Sequence, residues 1–251
     1  MSASLPYATD PVPAAREPQA SVWEDLVDIW YAPSSVFRRR ENGNYGIALV
    51  FVVALVGLLT FVAFRLLATP ISLDATRAME RVIKAHPEFS ADVVTAIRAR
   101  ASGSGSSPIT PIFISVVVLL TPFLAGVVMW LVGKLFGSVQ TLKSAFMVGT
   151  FAMFPKIIGA LGVLLQALLL DTTAMDSMTR VSLGVARFID PMTASPAVGG
   201  LALRADIVNL WSTVLIAIGL KVTGKLSTVQ ASIAAIIVFL VGYLPLVPSM
   251  M

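Results

Sequence analysis

Long apolar runs constrain the fold of this chain more than any other feature of its sequence. A helix needs roughly 20 apolar residues to cross a bilayer. The 251-residue sequence contains runs of about this length at 45–67, 109–132, 144–170, 204–222 and 229–246. Inside a bilayer, only helices and closed barrels satisfy their backbone hydrogen bonds. The sequence therefore predicts an all-α membrane protein, a bundle of five transmembrane helices within a membrane domain at 45–249.

The composition agrees with a membrane protein and argues against the soluble classes. Hydrophobic residues make up 57% of the chain and charged residues 13%, against about 25% charged residues in a typical soluble domain. The 18 basic and 14 acidic residues would suggest a nucleic-acid partner in a soluble protein. In a membrane protein such basic residues mark the cytoplasmic ends of the spans, so we expect no nucleic-acid partner.

Basic residues in the short connections predict the orientation in the membrane. Residues 133–143 and 221–228 each carry two lysines and no acidic residue, and an arginine triplet at 38–40 precedes the first span. Five spans place all three segments on one side of the membrane. Because cationic short loops stay in the cytoplasm, we expect a cytoplasmic N-terminus and an extracytoplasmic C-terminus.

The region before the first span divides into two predicted parts. Residues 1–20 have the composition of a disordered cytoplasmic tail, with five alanines and four prolines. Residues 21–41 are predicted to contain an amphipathic surface helix, because apolar side chains recur at the spacing i, i+3, i+4 and i+7. These side chains are Trp23, Leu26, Val27 and Trp30.

Two tryptophans and three arginines of this region are candidate membrane anchors. Tryptophan favours the headgroup region, so Trp23 and Trp30 are expected to hold the helix on the cytoplasmic membrane surface. The anionic lipid of that surface is expected to bind basic side chains, and the candidates are Arg38, Arg39 and Arg40. The alternative is that the apolar face packs on the protein's own cytoplasmic loops.

The two long connections, 69–108 and 171–206, are predicted to lie outside the cytoplasm. The first contains two helical patterns, for which Ser72 and Ser90 are candidate N-caps. We expect these helices to form a small extracytoplasmic cap. The single histidine of the chain, His86, lies between them without a cluster of other ligand residues, so no metal site is expected.

Two segments of the chain share a pattern that predicts an internal repeat. Residues 133–155 and 224–245 both begin Gly-Lys-Leu, contain Val-Gln shortly afterwards and reach a proline 15 residues beyond that glutamine. This pattern favours a parallel repeat of two helical hairpins, one made of the second and third spans and one of the fourth and fifth. Coincidence is the alternative, because cytoplasmic turns of membrane proteins favour glycine and lysine in any case.

Three segments carry a resemblance to a known family. They read YAPSSVF at 31–37, FGSVQTLKSAFMVGTFAMFP at 136–155 and DIVNLWSTVLIAIGLKVTGKLSTVQA at 206–231. Together they resemble the Yip membrane domain, named for Ypt/Rab-interacting proteins, and most of all its bacterial branch. The resemblance implies a five-span bundle in a bacterial cytoplasmic (inner) membrane. Eukaryotic members are similar to trafficking scaffolds that contact small GTPases, and they carry an Asp-Leu-Tyr-Gly-Pro type motif where this chain has YAPSSV.

A proline and a lysine interrupt the third predicted span. Proline kinks a helix and lysine is costly away from water. On a helical wheel, small and polar side chains share one stripe with the lysine, which predicts that this stripe packs against other helices rather than lipid. The candidate seam, completed by an asparagine of the fourth span, consists of Gly149, Pro155, Lys156, Gly159, Gln166 and Asn209.

A lysine inside a helix bundle needs a partner. We expect Lys156 to lie near mid-depth and to bind an anionic or carbonyl group of a partner or lipid. Asp206 and Asp171 are the nearest acidic candidates in the sequence, and both also fit a position at the membrane interface. The alternative is that the span begins near Pro155, that Lys156 is a cytoplasmic anchor and that the preceding segment is an interfacial helix.

The inventory of reactive residues argues against catalysis. The chain has no cysteine and one histidine, and it has neither paired carboxylates within a span nor a glycine-rich phosphate loop. We therefore expect no enzymatic activity and no cofactor. The leading hypothesis is a scaffold or accessory subunit that binds lipid and an unidentified partner protein. The alternative is a small-molecule or lipid transporter, or a transporter subunit, that uses the polar seam around Lys156 and Gln166.

Overall fold

The computed structural model describes residues 21–42, 44–103, 109–189 and 195–242. Within these ranges the chain is helical and has no β-strand, only an isolated bridge between Gly184 and Asp206. The predicted tail at 1–20 lies outside the described residues. The α-helices are α1 Val22–Asp28, α2 Pro33–Arg40, α3 Gly46–Leu66, α4 Ala68–Ala85, α5 Ala91–Ser102, α6 Ile109–Leu135, α7 Leu142–Phe151, α8 Pro155–Leu169, α9 Pro196–Arg204, α10 Ile207–Gly224 and α11 Thr228–Val241.

Within the described residues, four segments are long and apolar enough to cross a membrane, which confirms the predicted all-α membrane fold. They are Gly46–Leu66, Val116–Leu135, Leu142–Leu169 and Ile207–Gly224. The fifth predicted span coincides with α11, whose 14 residues rise about 21 Å, less than the roughly 30 Å of the hydrocarbon core. The total of five spans therefore stays a prediction.

Helix α7 forms the centre of the bundle. Its residues from Met147 to Phe151 are all buried, and it packs against α2, α3, α6 and α10. Two glycines permit this close packing. A Cβ atom at Gly149 would lie 2.4 Å from the carbonyl oxygen of Pro122 on α6, and one at Gly219 on α10 would lie 2.2 Å from a methyl group of Val148. Small residues thus bring three helices into contact, as is common in membranes.

The third span is broken where the sequence places its proline. Helix α7 ends at Phe151 and α8 begins at Pro155. The junction is tightened into 3₁₀-type turns, in which the Phe154 N–H donates to the Phe151 carbonyl oxygen and the Lys156 N–H to the Met153 carbonyl oxygen. Beyond this break, α8 packs along α3 and α10.

Both short turns meet at one end of the bundle, which we call the turn end. The Val139 N–H donates to the Gly224 carbonyl oxygen at 3.2 Å. The ammonium group of Lys225 lies 3.7 Å from the carboxylate of Glu41, just after α2. The arginine triplet and both lysine-bearing turns therefore share one end, as the predicted same-side arrangement requires. Which side of the membrane this end faces stays a prediction.

The opposite end, which we call the loop end, carries α4, α5 and the connection 171–206. Ser90 caps α5, as the sequence pattern predicts. The prediction of Ser72 as a cap was wrong, because α4 already begins at Ala68 and the Ser72 hydroxyl donates to a carbonyl oxygen within the helix. The carboxylate of Asp74 accepts the Met178 N–H at 2.8 Å, which fixes α4 to the second connection.

Candidate functional site

Lys156 lies directly after the break in the third span, as the second residue of α8. Its ammonium group donates a hydrogen bond to the side-chain carbonyl oxygen of Asn209 at 3.2 Å. Asn209 lies in the first turn of α10. Two members of the predicted seam therefore touch each other, across the contact between the third and fourth spans.

Asp206 extends this contact into a chain of three side chains. It is the N-cap of α10, and one of its carboxylate oxygens accepts the Asn209 backbone N–H at 2.8 Å. Its other oxygen accepts a hydrogen bond from the Asn209 side-chain amide. One amide thus links the ammonium group of Lys156 to the carboxylate of Asp206, which the N-terminus of the helix also stabilises.

A cavity of about 450 Å³ lies beside the ammonium group, within the range of roughly 300–1,000 Å³ that is usual for small-molecule sites. Side chains from α3, α6, α8, α10 and the connection 171–206 line it. Apolar side chains dominate, among them Val56, Phe64, Val118, Met153, Val163 and Leu183. Lys156, Asn209 and Asp206 form its charged and polar part, together with the hydroxyl-bearing residues Thr60, Thr121 and Ser182.

Lys156 is far from the turn end. About 15 residues separate it from Thr141, the N-cap of α7, and a helix rises about 22 Å over that number of residues. A similar number separates Asn209 from Gly224, the last residue of α10. Helix α7 is largely buried in the bundle, and the depth of Lys156 in the membrane stays a prediction.

The structure distributes the other predicted seam residues over different contacts. Gly149 faces α6. Gly159 faces α10, where an added Cβ atom would lie 3.1 Å from a methyl group of Val208. Gln166 donates to the Val181 carbonyl oxygen at 3.1 Å and accepts from the Arg187 guanidinium group at 2.6 Å. Gln166 therefore fastens the connection 171–206 to α8, and it is not among the residues that line the cavity beside Lys156.

The N-terminal region forms a second candidate site, the platform, which consists of α1 and α2. Ser21 and Glu24 form a capping box at the start of α1, and Pro33 is the first residue of α2. Val36 and Phe37 of α2 are fully buried. The predicted surface segment is therefore two short helices, the second of which is built into the bundle.

Two of the three arginines predicted to bind lipid are bonded to acidic side chains of α1. Asp25 is fully buried and accepts from Arg39 at 2.8 Å and also from Arg40. Arg39 further donates to Asp28 at 2.6 Å. Arg38 is exposed and bonds to a backbone carbonyl oxygen within α2. Lipid binding at this triplet stays a prediction. Arg39 is exposed as well but is bonded to Asp25 and Asp28, so Arg38 is the better candidate.

The apolar face of α1 is divided between the protein and its surroundings. Leu26 and Trp30 pack against the core of the bundle, as the alternative for this face predicts. Trp23 and Val27 are 67% and 58% exposed. The ring of Trp23 also meets that of Phe51 on α3 edge-on, with 6.0 Å between the ring centres.

Tyr31 and Asp28 form a hydrogen-bonded pair on the exposed side of the platform. The hydroxyl group of Tyr31 donates to the Asp28 carboxylate at 2.6 Å. This bond, together with the bond from Arg39, holds the pKa of Asp28 below its ordinary value. The same contact with Asp28 raises the pKa of Tyr31.

Among the described residues, no three His, Asp or Glu side chains lie together as a metal site would require.

The sequence pointed to Lys156 and Asn209 and gave Asp206, at the start of the fourth span, as an acidic candidate for Lys156, but it did not predict the buried position of Asp25. Asp206 also fits an N-cap, because an acidic side chain just before an apolar helical run is a preferred start signal. The burial of Asp25 depends on arginines 14 and 15 residues away in the chain, and a single-helix pattern contains no such information.

Comparison with known proteins gives two matches. A family model described as the Yip1 domain matches residues 27–247. Membrane protein YknW of Bacillus subtilis (strain 168) is 32% identical over 120 residues, which are 47% of this chain and 48% of that protein. The chain thus spans about half the length of this curated relative. No solved structure matches the chain.

Proposed function

Since this chain belongs to the Yip1 domain family, we propose that it is a non-enzymatic membrane scaffold or accessory subunit that binds a partner protein or lipid. The family match extends over most of the chain and confirms the resemblance found in the sequence, and the chain is a multi-pass integral membrane protein. The part it plays in that membrane is the subject of the proposal.

The observation that carries the proposal is the rigid, exposed platform. Asp25 is buried and bonded to Arg39 and Arg40, which fastens α1 to α2. Trp23 and Val27 nevertheless stay exposed on its outer side. Aromatic side chains held in place lose little conformational entropy on binding, and tryptophan is prominent both in protein interfaces and in the headgroup region. A preordered apolar surface of this kind suits a docking site.

The orientation follows from the positive charges of the turn end. We place the platform on the cytoplasmic side of a bacterial cytoplasmic (inner) membrane, where anionic lipid lies beside the exposed Arg38. A reporter that is active only in the cytoplasm can be fused to the C-terminus. Activity of this fusion would contradict the proposed orientation. A peptide of residues 18–42 should gain helicity with vesicles of anionic lipid.

Catalysis forms no part of the proposal. The only histidine, His86, lies between α4 and α5, where its ring is 2.8 Å from the Glu88 carboxylate. The chain also has no cysteine, another of the commonest side chains of catalytic sites.

A transporter or transporter subunit is the second candidate function. The cavity beside Lys156 favours it, since transporter sites lie within the bundle near broken helices. Transport through the predicted seam also needs Gln166, whose side chain is bonded to Val181 and Arg187 at the loop end. We therefore prefer the scaffold.

Affinity purification of the full-length protein in mild detergent, with mass spectrometry of bound proteins and lipids, tests the proposal. The variant Trp23→Ala combined with Val27→Ser should lose bound protein or anionic lipid. Phe188→Ala is the matched control, because Phe188 is an aromatic side chain of the loop end that is 85% exposed. An unchanged set of bound molecules in the platform variant would contradict the docking role.

A further inference from the structure

The break at Pro155 creates the cavity beside Lys156. Up to this point the third span packs on α6, where Gly149 lies against the carbonyl group of Pro122. After the break, the span continues as α8 along α3 and α10. Val118 and Thr121 of α6 then face Lys156 and Gly159 of α8 across an open space. The break therefore opens a space between α6 and α8, which residues 178–183 of the connection cover.

The cavity is complementary to an amphiphilic molecule, one with an apolar chain and a polar head group. Its walls are mostly apolar, and its two charged groups, the ammonium group of Lys156 and the carboxylate of Asp206, stand together at one place. An ammonium group has three N–H donors, and Asn209 is the acceptor it meets in the described structure. Donor capacity remains for a guest. The amide of Asn209 separates the ammonium group from Asp206, so the lysine can pair directly with a second anion.

From these features we infer that the cavity binds a single acyl chain whose head group is an anion, a carboxylate or a phosphate, held by Lys156. The inference is independent of the docking role of the platform. A partner protein's helix fits the space less well. A helix with its side chains is about 10 Å wide, so 450 Å³ holds roughly one turn, whereas a flexible chain fills an irregular apolar cavity.

The position of the cavity fits a guest that arrives from the bilayer. Met178, Val181 and Leu183 of the connection 171–206 cover it toward the loop end, and Met153 lies at the break in the third span. Most of the remaining lining belongs to α3, α6, α8 and α10. An apolar chain dissolved in the membrane needs to pass only between helices, whereas a water-soluble guest would have to displace the covering connection.

Binding of cis-parinaric acid, a fluorescent long-chain carboxylate, tests the inference on the purified full-length protein in neutral detergent. Saturable fluorescence enhancement is expected. Lys156→Met should weaken binding of the acid about tenfold or more, since charged hydrogen bonds contribute roughly 1.5–3 kcal/mol. Binding of the uncharged methyl ester should stay unchanged. Lys143→Met, which removes an exposed lysine at the turn end, is the matched control and should have no effect.

A second variant tests whether the guest occupies the cavity. Ala160 lines the cavity on α8, so Ala160→Leu should fill the space and weaken binding of both the acid and its ester. Competition by lysophosphatidic acid or by a free fatty acid then identifies the head group. Equal binding of the acid by the parent protein and Lys156→Met, or unchanged binding by Ala160→Leu, would overturn the inference. Either result would leave partner capture by the platform untouched.

Discussion

Two clusters of charge are withdrawn from water in this protein, and their partners differ. In the platform, the buried carboxylate of Asp25 is bonded to the guanidinium groups of Arg39 and Arg40. In the bundle, the ammonium group of Lys156 is bonded to the amide of Asn209 beside a cavity. The first cluster is closed by opposite charges, whereas the second has room and hydrogen-bonding capacity left. This difference separates a charge that holds the protein together from a charge available to a ligand.

The largest effect is expected from opening the closed cluster. Asp25→Ala takes the buried carboxylate from Arg39 and Arg40. Breaking a fully buried pair costs roughly 3–5 kcal/mol, and the cost is lower here because Arg39 is partly exposed and keeps its bond to Asp28. We expect faster hydrogen exchange across residues 21–40 and a lower temperature of unfolding. Asp171→Asn is the control, because Asp171 is exposed and bonds within its own turn. Equal protection of the platform in both variants would show that Asp25 is not what fastens it.

Helix packing near the open cluster gives the next largest effect. Gly149→Ala places a methyl group 2.4 Å from the Pro122 carbonyl oxygen, and overpacking of this kind costs about 1–3 kcal/mol. Gly159→Leu should also lower stability, because it pushes α8 away from Val208. Gly57→Ala is the matched control, since a Cβ at that position would meet open space beyond its own helix backbone. Reversible unfolding in detergent measures the free energy of unfolding of the three variants and the parent protein.

Removing the link between lysine and carboxylate should have a smaller effect. Asn209→Ala takes away the acceptor of Lys156 and a partner of Asp206, and leaving buried polar groups unpaired costs about 1–3 kcal/mol. Combining it with Lys156→Met should recover part of this loss. A double-mutant cycle in which the two changes are additive would show that the hydrogen bond contributes nothing.

Lys156→Met alone should leave insertion and stability nearly unchanged, in contrast to Asp25→Ala. Replacing a charge inside the bundle makes the span more apolar. The absence of cysteine allows a direct test of depth with a water-soluble maleimide, using Lys156→Cys and Lys143→Cys. We expect slow labelling at 156 and rapid labelling at 143. Equally rapid labelling from the cytoplasmic side would place Lys156 at the interface.

The smallest expected effect is a loosening of the platform in acid. The bonds from Tyr31 and Arg39 depress the pKa of Asp28 in the folded state. Their stabilisation is therefore complete above the unfolded value of about 3.9 and is lost as the pH falls through the lower folded value. A fluorophore attached to Val27→Cys should report a change below about pH 4 that Asp28→Asn reduces.

The sequence predicted the spans better than it predicted the sites, because span length follows from the apolar runs alone. The break at Pro155 was also readable, since proline has the same effect on any helix. Gln166 shows one limit of predicting site residues from the sequence. A helical wheel gives the direction of a side chain and not its depth, and ten residues of α8 carry Gln166 about 15 Å beyond Lys156. Asp25 shows a second limit, because its two partners come from another helix.

The contact between the two short turns has a consequence for how the protein is made. Gln140 is fully buried, and its amide donates to the Thr223 hydroxyl at 2.7 Å, although the two residues are 83 positions apart. During synthesis the third span is inserted well before Thr223 leaves the ribosome. Until then the amide of Gln140, in a turn at the end of the bundle, is hydrogen-bonded to water, so the two turns are joined only after α10 has been inserted. A nascent chain that stops before α10 would thus have the first hairpin without the bond that ties its turn to the second.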